Sequence, residues 1–300
     1  MKKLIRFSDV TARDGLQSLK KIVSPENRTF LIKTISKLNF DEIEVGSLVN
    51  PRIIPAMAGS VKVYHDTYNP SKYKSYVLVG NESGIDKINK NKIKYFSLFS
   101  SPSDTFNIKN INTDVSGSFI RFKSMLDNLE CRENHYIKGY ISCIGECPFE
   151  GDISISKILN TINEYKRLGV NEICIADTIG SLRADKLENI LTESNKIYDV
   201  NNLSLHLHTT NNFLSENTET KDNLKVAVVN GVTKFDTSLF GIGGCPAVYS
   251  KDKEKTGNLN IMHAIKYLSE LGCEFQQNYK SQEWEEELYN VEEICKNIIF

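Results

Sequence analysis

Short apolar runs and amphipathic stretches alternate along the whole chain. Eight runs are rich in Ile, Val, Leu, Phe and Tyr: Leu4–Val10, Glu42–Gly46, Ser75–Asn81, Tyr95–Ser100, Tyr136–Ile144, Glu172–Asp177, Leu203–Thr209 and Phe235–Gly241. Their length and continuity predict strands covered on both faces. The stretches between them have helical spacing. Ser24-Pro25 supplies a capping hydroxyl and a proline at the first helical position, and Phe30, Leu31, Ile35 and Leu38 then predict one stripe. Ile155, Ile158, Leu159, Ile162, Tyr165 and Leu168 predict a second stripe, closed by Gly169. No Gly/Ser/Pro-rich linker interrupts this alternation. Eight strand–helix units therefore predict an α/β fold, a (β/α)8 TIM barrel, as one domain over residues 1–300. Trp284, Leu288, Val291, Cys295 and Ile298 recur at helical spacing, so an additional C-terminal helix over 281–299 is expected to pack on the barrel. Glu283, Glu285, Glu286 and Glu287 are read as its solvated face.

Composition narrows the functional classes. With 300 residues, 40% of them hydrophobic and 25% charged, the chain has the make-up of a globular protein with a sizeable core. A formal net charge of −1 gives no electrostatic case for a nucleic-acid partner. The apolar runs are too short to span a bilayer, so no membrane partner is expected. Seven scattered cysteines, an odd count, fit reduced thiols in an intracellular compartment. Met1-Lys2-Lys3 leads directly into the first run and leaves no room for a presequence, so a cytoplasmic location is expected.

In such a barrel the chemistry sits at the C-terminal ends of the strands. The polar residues follow that rule. Arg13 and Asp14 follow the first run, Glu44 lies in the second, and Asp177 ends the sixth. His206 and His208 end the seventh, and Cys245 follows the eighth in Gly243-Gly244-Cys245-Pro246. Side chains at i and i+2 of a strand share a face, so both imidazoles can aim at one point as metal ligands. Asp14 supplies an anionic ligand, and imidazole with carboxylate oxygen suits a divalent cation such as Mg²⁺ or Mn²⁺. Arg13 can stabilise a developing oxyanion, and it can also pair with Glu44, an acid that needs a partner if buried. Asp177 is either a site acid or the cap of the turn that follows it. Cys245 is either a proton carrier on a glycine-rich loop or an inert thiol. Cys143 and Cys147 lack a zinc spacing, and Cys131, Cys174, Cys273 and Cys295 read as filler. His65, His135 and His263 have no partner at metal-ligand spacing.

Five segments together resemble 3-hydroxy-3-methylglutaryl-CoA lyases, within the metallolyase group of TIM barrels. They are Arg13-Asp14-Gly15-Leu16-Gln17, Ser142 to Gly151, Asp177-Thr178-Ile179-Gly180, His206-Leu207-His208 and Gly243-Gly244-Cys245-Pro246. They occur in family order from about Phe7 to Leu259. The resemblance implies a divalent cation held by Asp14, His206, His208 and the side-chain oxygen of Asn258. It implies an enolate oxygen steadied by Arg13, substrate contacts from Arg13 and Gln17, and a site completed by Asp177 and Glu44. It places Cys245 on a closing loop. The implied reaction is retro-Claisen cleavage of an acyl-CoA substrate to acetyl-CoA and acetoacetate. The chain departs from the family at Thr209, in the charged segment Ser250–Thr256, and at Met262. Two other readings stay open: an acyl-CoA condensing synthase or aldolase on the same barrel, and a barrel that binds metal or acyl-CoA without turnover. A homodimer is expected by analogy with barrels of the group.

Overall fold

The computed structural model describes residues 4–210, 218–244 and 256–300. Eight parallel strands close into a barrel: β1 (Arg6–Asp9), β2 (Glu42–Ser47), β3 (Lys74–Leu78), β4 (Tyr95–Ser100), β5 (Tyr136–Ile141), β6 (Glu172–Ala176), β7 (Leu203–His206) and β8 (Lys234–Thr237). Each strand pairs with the next, and β8 pairs with β1. Every predicted run holds one barrel strand. Several strands stop short of the predicted end, as β5 does at Ile141 and β7 at His206. The residues beyond bend into the rim loops.

Helices wrap the outside: α1 (Pro25–Ile35), α2 (Ser60–Thr67), α3 (Glu82–Asn91), α4 (Asp104–Ile111), α5 (Val115–Asp127), α6 (Ile155–Leu168), α7 (Ala184–Ser194), α8 (Thr218–Val229), α9 (Ile261–Glu270) and α10 (Gln282–Ile299). Ser24 caps α1 as predicted, its hydroxyl accepting from the Asn27 amide at 3.2 Å. Leu31, Ile35 and Leu38 are buried, but Phe30 is 53% exposed. It lies about 100° around the axis from Leu31, and Ile32 fills the buried face instead. On α10, Trp284, Leu288, Val291 and Cys295 are buried, and Ile299 rather than Ile298 makes the last deep contact. The Trp284 indole N–H donates to the Leu38 carbonyl at 3.0 Å and ties α10 to the end of the first helical unit.

Apolar on both faces is not what the strands are. Lys138 on β5 donates to Asp236 on β8 at 2.9 Å, and Lys234 on β8 reaches Glu42 on β2 at 2.8 Å. Lys234 also pairs with Glu172 on β6. None of these strand pairs are neighbours, so the bonds cross the barrel interior. The alternate positions Ile43, Phe96, Ile137, Ile173, Leu205 and Phe235 therefore face the helices, where they are buried. The barrel is charged inside and apolar outside, and each interior charge has an opposite charge beside it.

Candidate active site

His206 is the last residue of β7 and points inward. After Leu207 the chain turns out of the barrel, and His208 starts a short antiparallel pair, with His208 opposite Asn258. The two histidines therefore belong to different strands, unlike the single strand expected from their spacing. Their rings still converge, with Nε2 to Nε2 at 3.1 Å. Asp14 comes from the helical turn Thr11–Gly15 that follows β1. One ligand atom from each of Asp14, His206 and His208 lies within 4.8 Å of the others.

The hydrogen bonds fix what these rings can do. His208 Nδ1 lies 2.7 Å from the Thr178 carbonyl oxygen, and His206 Nδ1 lies 3.2 Å from Asp236 Oδ2. Both partners accept, so Nδ1 carries a hydrogen in each ring, and a neutral ring then keeps a lone pair on Nε2. Two lone pairs facing each other repel unless a cation sits between them. Their separation also suits neighbouring ligands of an octahedral ion at about 2.1 Å. Asn258 adds a second sign. Its amide nitrogen donates to Asp14 Oδ2 and the Ile242 carbonyl, both at 2.9 Å, while its buried Oδ1 has no hydrogen-bond partner among the described residues. An unpartnered buried acceptor beside a carboxylate and two imidazole lone pairs fits a metal ion. Gly243 makes room for the Asn258 side chain: at φ +148° an added Cβ would lie 2.1 Å from Asn258 Nδ2.

Arg13 lies beside this cluster. Its Nε donates to Glu44 Oε2 at 2.5 Å and its Nη1 to Asp14 Oδ1 at 2.6 Å. The other Glu44 oxygen accepts from Ser97 at 2.8 Å. Burial disfavours the guanidinium charge, but Glu44 and Asp14 outweigh it and hold Arg13 protonated. Burial likewise opposes ionisation of Asp14, and Arg13 with the two histidines outweighs it and lowers that carboxyl. Burial, aided by neighbouring His206, pushes His208 down to about 4, so its ring is neutral near pH 7.

Asp177 stands apart. Its carboxylate accepts from the amides of Ile179, Ser181 and Leu182 at 3.4, 3.2 and 3.0 Å, and it does not line the cleft. Burial pushes it up to about 6 against those amides. It shapes the turn that presents the Thr178 carbonyl to His208. Gln17 does line the cleft, and its buried Oε1 is unpartnered among the described residues. Above the polar floor the walls are apolar: Val49, Ile54, Leu78, Phe99, Phe106 and Ile111. Cys245 and residues 250–255 of the charged segment lie outside the described residues. Cys143 and Cys147 are buried free thiols. His135 is held between the Ile93 and Glu130 carbonyls, and His65 faces Asn91.

The sequence reading passed over Asp236, Tyr140 and Lys138. Asp236 carried the same signal as Glu44, an acid inside an apolar run. The register places it directly beside His206.

Residues 4–291 match the HMGL-like family. A relative from Pseudomonas aeruginosa, the 3-hydroxy-3-isohexenylglutaryl-CoA/hydroxy-methylglutaryl-CoA lyase, is 30% identical over 86% of this chain and 82% of its own length. The mitochondrial hydroxymethylglutaryl-CoA lyase of Macaca fascicularis is 31% identical over 90% of this chain and 80% of its own. The crystal structure of the HMG-CoA lyase from Brucella melitensis superimposes with a TM-score of 0.87 at 26% identity, covering 99% of both chains.

Proposed function

The chain belongs to the HMGL-like family and is a carbon–carbon lyase, and we propose that it cleaves 3-hydroxy-3-methylglutaryl-CoA to acetyl-CoA and acetoacetate. The observation that carries this reading is the convergence of Asp14, His206 and His208 beside Arg13 at the floor of an apolar-walled cleft. Asp14, His206, His208 and the Asn258 oxygen would hold a divalent cation, Mg²⁺ or Mn²⁺. Such an ion, when bound, orients oxygen ligands and acidifies a hydroxyl group.

The rest falls to the chain's own residues. A general base takes the proton of the substrate's 3-hydroxyl, the freed oxygen pair forms the C3 carbonyl of acetoacetate as the C2–C3 bond breaks, and the pair of that bond enters the thioester enolate. Arg13 has five N–H donors and spends two of them on Glu44 and Asp14. The remaining donors would face the enolate oxygen, where fixed charge is most useful. Glu44, with Ser97 behind it, holds that guanidinium in place. Asp177 acts through the turn that carries Thr178. Gln17, with its free oxygen, would meet the substrate. Cys245 would return a proton to C2. The apolar walls shed water from the enolate and favour alkyl groups at C3. They also support a longer branch than methyl, as in the substrate name of the Pseudomonas aeruginosa relative.

The test is a coupled assay for acetoacetate on chelator-treated protein, with Mg²⁺ or Mn²⁺ restored. Cation-dependent acetoacetate release is expected. A protein that binds the thioester and the cation but releases no acetoacetate would overturn the reading in favour of a non-catalytic barrel. Release of free CoA from acetyl-CoA and a 2-oxo acid would favour a synthase. A cytoplasmic location and a homodimer are part of the proposal. No described helix is long and apolar enough to cross a membrane.

A further inference from the structure

We infer that Asp236 is a positioning residue for the cation site, acting through His206. The inference rests on the cation reading given above and goes one layer behind it. Asp236 lies in β8, and the parallel register sets it level with His206 in β7. Paired positions in a sheet share a face, so both side chains enter the barrel interior together.

Four donors surround the Asp236 carboxylate. Oδ1 accepts from Lys138 Nζ at 2.9 Å. Oδ2 accepts from the Tyr140 hydroxyl at 2.9 Å and faces His206 Nδ1 at 3.2 Å. The Cys174 thiol approaches the same oxygen at 3.7 Å. Asp236 is 1% exposed. A carboxylate anchored from the far side of the barrel cannot rotate away from the histidine. It also cannot donate, so the hydrogen between the two groups belongs to His206 Nδ1. That leaves the Nε2 lone pair aimed at Asp14 and His208.

His208 has a different orienter, the Thr178 carbonyl at 2.7 Å. The two imidazoles are thus set by independent elements, one by a lumen carboxylate and one by a rim turn. Carboxylate partners of ligating histidines fix the tautomer and raise ligand basicity, and their loss typically weakens metal affinity about 10–100-fold. Lys138 does not line the cleft; Tyr140 does, with its ring centroid 6.2 Å from that of His206, while its hydroxyl is spent on Asp236. In this arrangement they act on the cation through Asp236.

The experiment measures Mn²⁺ affinity by electron paramagnetic resonance on the full chain, with long-range ¹H–¹⁵N spectra reporting the histidine tautomers of the cation-free protein. In the wild type, His206 should show the Nδ1–H form. Asp236→Asn should mix the two tautomers at His206 alone and weaken Mn²⁺ binding about 10–100-fold. Because that variant removes one of the two carboxylates beside Lys138 and leaves only Glu172 at 3.3 Å, the double variant Lys138→Met/Asp236→Asn removes both members of the Lys138–Asp236 pair and should show the same loss. A wild type with His206 in the Nε2–H form overturns the inference without any variant. So do folded variants that bind Mn²⁺ as tightly as the wild type. A wild type with the Nδ1–H form and no Mn²⁺ affinity would instead overturn the cation reading itself.

Discussion

Arg13 sits between two carboxylates with donors to spare, and this gives one residue two separable roles. Its bonds to Glu44 and Asp14 hold it in place, while its remaining N–H groups can act on developing charge. Arg13→Gln keeps a polar side chain, though a shorter one, and removes the charge. Turnover should fall about 10²–10³-fold, the usual effect of removing an oxyanion donor. Mn²⁺ affinity should stay within a few-fold, because Asp14, His206, His208 and Asn258 are untouched. Steady-state kinetics alongside Mn²⁺ titration checks both halves, and a variant with near-normal kcat would remove Arg13 from the chemistry. Arg13, Asp14 and the histidine pair were legible in the sequence because they lie at or just beyond the ends of apolar runs and differ sharply from those neighbours. Asp236 was equally conspicuous, but its purpose depends on a neighbour thirty residues away in the chain.

The strands show what a single periodicity hides. Outward positions build the apolar core against the helices, and inward positions build an ionic layer of Glu42, Lys138, Glu172 and Lys234. Burial favours the neutral form of Glu42, yet Lys234 and Lys138 outweigh it and hold that carboxyl down to about 2, below its ordinary 4.5. A carboxyl lowered in the folded state adds stability above its unfolded value and loses it as pH falls. The Glu42 contribution is therefore complete above about pH 4.5 and disappears toward pH 2. Lys234→Met leaves Glu42 and Glu172 short of a partner, and should cost about 3–5 kcal/mol at pH 7. Urea unfolding at pH 7 and pH 3 should also show a smaller difference between the two pH values in the variant than in the wild type. An unchanged pH dependence would mean that Lys234 does not hold Glu42 ionised.

For the molecule as a whole, a cation held as proposed would link barrel closure to ligand binding. Asp14 follows β1, the histidines follow β7, and Asn258 arrives on the return strand after β8, so a bound cation joins both sides of the closure. An ion that binds the folded chain stabilises it by about 2.7 kcal/mol at a hundredfold excess over Kd. At this size that corresponds to a Tm rise of about 5 °C. Mn²⁺ added to chelator-treated wild type should produce the rise, and His206→Ala should fold without showing it. A calorimetric scan that responds equally in both proteins would place the bound ion elsewhere.

The sequence determined the strand count, the helix alternation, the packing of a final helix, and the residue types at the strand ends. These follow from local periodicity and from the rarity of charge within apolar runs, both of which the chain carries in short windows. Only the tertiary structure decided that the interior is ionic, that His208 stands on a separate strand, and that Asp177 serves a turn. It also decided that Asp236 backs His206. Each of these depends on which strands lie side by side and on the register between them. Barrel closure sets that register between positions far apart in the chain, and no local pattern encodes it.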